Sequence, residues 1–333
     1  MVQQMDRAGE MLAEGPELSV VAPLHNEAGN VHPLFTGICR ALEPLQRSFE
    51  VLLVDDGSTD ETREWLDELA AGDGRLRPVH LDANYGEAAA LSAGFALARA
   101  PIILTLDGDL QNDPADLPRL LACLEAGPYR AVSGWRRDRD GAFVRRVLPS
   151  RIANWLIARV TGVPSKDNGC GLKAYRSEVV RSVFLPKGFQ RFMPAIFGVR
   201  APEFAQIEVS DRPRRFGRSH YGLSRLFAVI RDLLAVPYVL RDAQRSVIWM
   251  DRVSARAIML LVAGGVAWAA VGPGLGAALG MPALLVMGYA SGVRATLVRW
   301  LRTQRECPFR LQATAPSTAA LMRPVVTGAS ESG

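Results

Sequence analysis

Two carboxylates one residue apart, Asp107 and Asp109, close the apolar run Ile102-Ile103-Leu104-Thr105-Leu106, and an amide, Gln111, follows two residues on. Two carboxylates at the end of a buried strand repel each other and need a countercharge. A hard divalent cation, Mg²⁺ or Mn²⁺, meets that need: it takes oxygen ligands, keeps open positions and can hold a substrate diphosphate. A polar turn after a strand is the plainer alternative, since Asp and Gly are ordinary there. A second acidic pair, Asp55-Asp56, ends another apolar run and is followed by Gly57-Ser58-Thr59-Asp60. A carboxylate at that place can accept from a base edge or a ribose hydroxyl, or it can serve the start of the next helix. The first apolar run ends in Pro23-Leu24-His25-Asn26-Glu27. A dinucleotide fold carries Gly-x-Gly-x-x-Gly there, so a dehydrogenase is excluded by its own motif.

The elements that position these groups alternate. Strands are expected at 18–22, ended by Pro23, and at 49–54, 77–81 and 101–106. Helices are expected at 31–45, 59–71 with Ser58 as amino cap, 86–99 and 116–125. This rhythm predicts an α/β fold, a mostly parallel sheet wrapped by helices. Ligands of such sheets gather beyond the carboxyl ends of the strands, and all three polar clusters fall at that edge.

With 333 residues, 49% of them hydrophobic and 22% charged, the chain can bury a large core and is not a disordered protein. The net charge is +5, with arginines crowded between Arg200 and Arg256 and again from Arg294 to Arg310, which suggests an anionic surface as partner. Cys39, Cys123, Cys170 and Cys307 are far apart and read as reduced cytosolic thiols. The first 17 residues are polar and show no signal peptide.

Beyond Gly222 the character changes. Apolar residues at helical spacing, interleaved with arginines and interrupted at Pro237, read as amphipathic helices over 223–252 that can lie in a membrane interface. Residues 257–293 carry no charge. That length is too long for one span and tight for two, and Gly272-Pro273-Gly274 marks a turn near the middle. A helical hairpin over 253–295 is therefore expected, transmembrane or re-entrant. Arginines flank both ends, which predicts both termini on the cytosolic side. The segments are then 1–17, a loose amino terminus; 18–222, the α/β domain; 223–252; 253–295; and 296–333, a basic and partly disordered tail.

Taken in order, Val21 to Glu27, Val54 to Asp60, Asn84-Tyr85-Gly86 and Asp107-Gly108-Asp109-Leu110-Gln111 resemble glycosyltransferase family 2. Gln111 followed by Asn112-Asp113-Pro114 is similar to the dolichol-phosphate-mannose-synthase branch and its bacterial polyprenyl-phosphate relatives. Gly134-Trp135-Arg136, Asp167 with Gly169-Cys170-Gly171, and Pro213 to Ser219 extend the likeness over about 18–222. The resemblance implies a GT-A type, Rossmann-like domain. It implies that Pro23, Asn26 and Glu27 line the nucleotide pocket, with Asp55 and Asp56 reading base or ribose. Asp107, Asp109 and Gln111 are implied to hold Mg²⁺ or Mn²⁺ on the donor diphosphate. Arg136 is implied to face an acceptor phosphate, helped by Arg146, Ser150 and His220, and Arg214 to reach the donor diphosphate or acceptor phosphate.

The implied activity is inverting transfer of a hexose-type sugar from a UDP- or GDP-linked donor to a polyprenyl phosphate on the cytosolic leaflet of the inner membrane. The implied partners are the nucleotide sugar, the polyprenyl phosphate and the membrane, with a separate flippase and a homo-oligomer as further ones; nucleic acid is not among them, because no aromatic platform interleaves with the arginines. Three positions depart from the pattern: His220 stands where a lysine is usual, Glu87 where a basic residue opens the helix, and Asp211 where histidine is frequent. A hydroxyl acceptor remains an alternative and would use Asp167 as base; a non-catalytic nucleotide-sugar-binding membrane protein is the other.

Overall fold

The computed structural model describes residues 15–136, 148–181, 183–211 and 223–312, with backbone only at 148–152 and 223–228. The chain divides into two compact units, one of them Tyr221–Glu306.

The first unit is built on a seven-stranded sheet: β1 Leu18–Leu24, β2 Phe49–Asp55, β3 Leu76–His80, β4 Ile102–Thr105, β5 Ala131–Arg136, β6 Lys173–Arg176 and β7 Phe204–Val209. The order is β3-β2-β1-β4-β6-β5-β7. β3, β2, β1 and β4 run parallel, β6 runs antiparallel to β4 and β5, and β7 is parallel to β5. Crossovers pass through α1 Ala28–Leu42, α2 Thr62–Gly72, α3 Glu87–Leu97 and α4 Leu117–Glu125. β2 is buried along its whole length and β1 at all but Pro23, as expected when helices cover both faces of a parallel sheet. Val31, Leu34, Phe35, Ile38 and Leu42 form the matching buried stripe of α1. Glu50, on the opposite edge of the sheet from the acidic motifs, is buried and structural: it accepts from Ser19, Arg77 and Arg99.

Two local expectations change. Pro23 lies inside β1 rather than ending it, paired with Val54. β4 pairs with β1 only as far as Val21, so at Pro23 the strand has a neighbour on one side, where a missing N–H is tolerated. Ser58 does not cap α2, which begins at Thr62. Its hydroxyl accepts the Asn26 N–H at 2.9 Å, while Asp60 accepts the Thr62 N–H at 3.1 Å.

The tail also contributes structure. Asp82 N–H donates to the Arg310 carbonyl at 3.1 Å, Gln312 N–H donates to the His80 carbonyl at 2.9 Å, and Leu311 bridges antiparallel to Leu81. Phe309 is buried, edge-on to Phe184. Residues 309–312 thus cover the outer edge of the sheet beside the end of β3, which removes an exposed edge.

The second unit is a helical hairpin. α5, Leu148–Thr161, belongs to the first unit; α6 is Leu223–Val271 and α7 is Pro273–Arg305. Pro237 stays within α6, and the break falls at Asp242, whose backbone is extended (φ −166°, ψ 101°). Asp242 accepts the Arg245 N–H at 2.9 Å, so it caps a new helix start, whereas proline's fixed φ suits a helix and costs it one hydrogen bond. Gly272 turns the chain with φ +116°, a conformation that favours glycine.

The seam between the two helices repeats every seven residues. Ala243, Met250 and Ala257 on α6 and Gly276, Ala283, Ala290 and Leu297 on α7 are buried. This is antiparallel coiled-coil packing with small residues that let the backbones approach. The large apolar side chains point the other way: Met259, Val262, Val266, Val271, Met281 and Leu285 are all more than half exposed. Both Val229–Val271 and Pro273–Arg305 are long and apolar enough to cross a membrane.

Candidate active site

The acidic pair after β2 is fixed by the protein itself. Asp55 is buried and accepts the Ser58 N–H at 2.8 Å, with Arg63 at 3.5 Å and the His80 ring at 3.3 Å. Burial works against its charge, but the hydrogen bonds from His80 and Ser58 outweigh that and hold its carboxyl at about 2. Asp56 accepts the N–H groups of Tyr85 and Gly86 at 2.7 and 2.8 Å. It therefore holds the Asn84-Tyr85-Gly86 turn against the end of β2, and burial raises its pKa. Asn26, in a left-handed conformation (φ 56°), accepts the Thr59 N–H at 2.8 Å. Glu27 accepts from the Asn30 amide at 2.5 Å. The loops after β1 and β2 are thus one hydrogen-bonded rim, in which Asp55 and Asp56 are buried and Asn26 is exposed.

His80 at the end of β3 joins this rim, and no sequence motif flagged it. Its ring bridges buried Asp55 and exposed Asp67, the latter at 3.0 Å. Burial disfavours the imidazolium, but the hydrogen bonds to both carboxylates prevail and raise its pKa above 6.5. Arg63 is the other cation facing Asp55. The charged ring contributes stability that is complete below about pH 6.5 and fades as pH rises through the raised value. We expect the melting temperature of wild type to decline between pH 6.5 and 9 more steeply than that of His80→Gln; parallel curves would show that the bridge carries no charge.

The turn after β4 brings Asp107 and Asp109 next to Pro23, whose carbonyl lies 2.8 Å from where a Cβ on Gly108 would stand. Asp109 is buried and accepts the Gln111 N–H at 3.1 Å across Leu110, which is held at φ 59°. A left-handed leucine is strained, and such strain collects at functional turns. The Asp107 carboxyl is pushed up to about 7, first by burial and then by the negative charges of Glu87 and Asp109, while Lys173 and Arg136 pull it down. Gly171 packs under it so closely that a Cβ there would overlap the carboxylate. A carboxylate this costly to ionise fits a site that expects a cation. Among the described residues no group of three or more His, Cys, Asp or Glu side chains is spaced to hold a metal. The turn itself offers two carboxylates, Asp107 and Asp109.

Arg136, the last residue of β5, makes a two-point fork on Asp167, Nε to Oδ2 at 2.8 Å and Nη2 to Oδ1 at 3.3 Å, and lies 3.8 Å from Asp211. Arg136 and Asp167 are both buried at the side chain. Asp211 also bridges to Asn112, beside the carboxylate turn. Lys173 is a site residue that the sequence reading missed. It is buried on β6 opposite Thr105, donates to the Cys170 carbonyl, and its charge reaches Asp107. Only the antiparallel register of β6 against β4 brings it there. Arg146, Arg214 and His220 lie outside the described residues; Ser150 falls in α5, with its side chain likewise outside them.

Residues 19–184 match the family described as glycosyl transferase family 2. Over 233 residues the chain is 42% identical to dodecaprenyl-phosphate galacturonate synthase of Rhizobium johnstonii, covering 69% of each chain. Over 218 residues it is 35% identical to undecaprenyl-phosphate 4-deoxy-4-formamido-L-arabinose transferase of Aeromonas hydrophila, covering 65% of this chain and 66% of that one. The chain spans about two thirds of the length of these relatives. Among solved structures it is similar in fold to mannosyl-3-phosphoglycerate synthase from Rubrobacter xylanophilus, with a TM-score of 0.54 and 20% identity over 70% of this chain and 77% of that one. It is also similar in fold to glucosyl-3-phosphoglycerate synthase from Mycobacterium tuberculosis, crystallised with Mn²⁺, UDP-glucose and phosphoglyceric acid, with a TM-score of 0.51 and 23% identity over 70% and 82%. The acidic turns at the strand ends, the mixed sheet that carries them and the extent of these matches agree: the chain belongs to glycosyl transferase family 2.

Proposed function

We propose that this protein transfers a sugar from a nucleotide sugar to a polyprenyl phosphate at a membrane surface, with inversion at the anomeric carbon. The observation that carries the reading is the Asp107–Asp109 turn of a family 2 domain in one chain with a hairpin that buries alanines and exposes leucines, valines and methionines. The names of the relatives in Rhizobium and Aeromonas point to the same acceptor class. Both relatives transfer charged or modified sugars by name, so uronates belong among the donors to be tried. Arginines before and after the hairpin argue for the cytosolic leaflet of the inner membrane.

In this reading an acceptor phosphate oxygen forms the bond to the anomeric carbon while the bond to the donor diphosphate breaks, and a nucleoside diphosphate leaves. A phosphate oxygen is already anionic, so no residue has to take a proton. A divalent ion held by Asp107, Asp109 and Gln111 would neutralise the charge that develops on the leaving diphosphate. Asp107 and Asp109 hold that place, and Lys173 keeps the local field from becoming too negative. Asn26 and Asp55 organise the rim for base and ribose. A hydroxyl acceptor is the weaker reading, because both oxygens of Asp167, its candidate base, are occupied by Arg136 and a carboxylate so held is a poor proton acceptor.

The test is a donor screen: membranes containing the protein, undecaprenyl phosphate, Mg²⁺ or Mn²⁺, and labelled UDP- and GDP-sugars including uronates. A chloroform-soluble, acid-labile product that is lost in Asp109→Ala is expected. Nucleotide binding with no lipid product from any donor would move the reading to a hydroxyl acceptor or a sensor.

A further inference from the structure

Residues 309–312 follow α7 in the chain but belong to the first unit. Their backbone bonds do not run along β3. One goes to its last residue, His80, and the other to Asp82, where the chain has already left for the next turn. Leu81, between these two, is fully buried, and its own N–H donates to the Asp55 carbonyl at 2.9 Å. The exit from β3 is therefore gripped from both sides, by the acidic end of β2 and by the tail. Phe309, buried against Phe184, fixes the near end of the tail.

What this grip holds is the turn over 82–86. The Tyr85 hydroxyl donates to the Asp82 carboxylate at 2.7 Å, and the Tyr85 and Gly86 N–H groups donate to Asp56. The turn lies directly on the rim. A Cβ on Gly57 would stand 2.6 Å from the Asn84 nitrogen, so the two turns cannot shift independently. Asn84 also reaches the loop after β1. Its amide donates to His25 Nε2 at 2.9 Å, while His25 Nδ1 donates to the Asp56 carbonyl at 3.0 Å. One short turn thus touches both loops, the one with Asn26 and the one with Asp55 and Asp56. Asp82, Ala83 and Asn84 are exposed, and a segment with few buried contacts opens easily unless its ends are held.

We propose that residues 309–312 are a positioning strap for the nucleotide half of the donor. By fixing His80 to Asp82, the strap sets where the 82–86 turn lies on the rim. It thereby sets the fraction of molecules whose rim is ready to take a nucleoside diphosphate, and apparent affinity scales with that fraction. The inference rests on the nucleotide-sugar donor proposed above. No strap residue has to touch the ligand. A plain edge cover is the competing role: it would keep the sheet from pairing with another chain and leave donor binding alone.

The test uses the full-length protein in lipid nanodiscs. Gln312→Pro removes the N–H that reaches the His80 carbonyl, Gln312→Ala keeps it, and Phe309→Ala loosens the other end. Hydrogen exchange over 80–86, dissociation constants for UDP and GDP, melting temperature, and KM for the sugar nucleotide and for undecaprenyl phosphate are measured. In Gln312→Pro and Phe309→Ala, exchange over 80–86 is expected to quicken. The nucleoside diphosphate dissociation constant and the donor KM should rise together by about five- to tenfold, with kcat and the KM for undecaprenyl phosphate unchanged. Gln312→Ala should match wild type. A donor KM that stays put despite faster exchange, or an equal loss in Gln312→Ala, would overturn the proposal. So would donor and acceptor KM values that rise together as the melting temperature falls, the signature of a sheet edge that has merely lost its cover. If wild type binds neither UDP nor GDP and makes no lipid product, the functional reading fails, and faster exchange in Gln312→Pro is the part of the strap that survives. If wild type transfers sugar and both loosened variants bind donor as it does, the strap fails alone.

Discussion

Asp109→Ala will lower the rate of sugar transfer by about 10²–10³-fold, the scale seen when one preorganised group that stabilises developing charge is removed, while leaving the fold intact. Asp109 is buried and accepts the Gln111 N–H across a left-handed leucine. Asp107→Asn should do the same and adds a readout that does not need turnover. With its pKa pushed from the ordinary 3.8 to about 7, Asp107 binds its proton more tightly in the folded chain than in the unfolded one. Metal-free stability should therefore fall as pH rises from about 4 toward 7. Metal binding has to displace that proton, so affinity for Mn²⁺ should drop about tenfold per pH unit below 7 and level off above it. Thermal shifts with and without Mn²⁺ at pH 5.5 and 8 check this: a large gain at pH 8, a small one at pH 5.5, and none at either in Asp107→Asn. Equal shifts at both pH values would show that Asp107 is not a ligand.

Arg136→Met is the second large effect, and it falls on stability. It leaves Asp167 as a buried carboxylate without its two-point partner, at a cost of about 3–5 kcal/mol. Replacing both groups, Arg136→Met with Asp167→Leu, should recover most of that loss, because well-packed apolar pairs often substitute for buried ion pairs without penalty. Denaturant midpoints for the two single variants and the double one measure the coupling. The double variant also separates two roles. If it is stable but has lost transfer, Arg136 contributes charge to the acceptor phosphate as well as structure. If it is stable and active, Arg136 is a brace for the loop after α5 and nothing more.

The position of the acidic residues in the fold was readable in the sequence, for a simple reason. Strand ends in a parallel sheet share one edge. Asp55, Asp56, Asp107 and Asp109 could be placed there from alternation alone, and Gly272-Pro273-Gly274 gave the hairpin turn because few other sequences reverse a helix so sharply. Local choices were less legible. Ser58 and Pro23 each had an obvious local role, as cap and as strand end. Neither plays it, because Asn26 N–H captured the serine and the shortness of β4 excused the proline. The seven-residue alanine and glycine seam was in plain view, but a small residue signals packing only when its partner helix is known.

Which acidic groups share the carboxyl edge of the sheet followed from the alternation of strands and helices, because an acidic residue that ends an apolar strand is a local feature and parallel strands end on one side. The sequence also determined that the hairpin is apolar outward. The pairings between distant segments came from the folded chain alone. Arg136 is spent on Asp167, Lys173 stands opposite Thr105, His80 joins Asp55 to Asp67, and residues 309–312 close the edge beyond β3. Those depend on register, on the one antiparallel strand and on a tail that returns to the sheet. A one-residue slip in any of them would turn the side chain to the other face, and no periodicity in the chain records which register is taken.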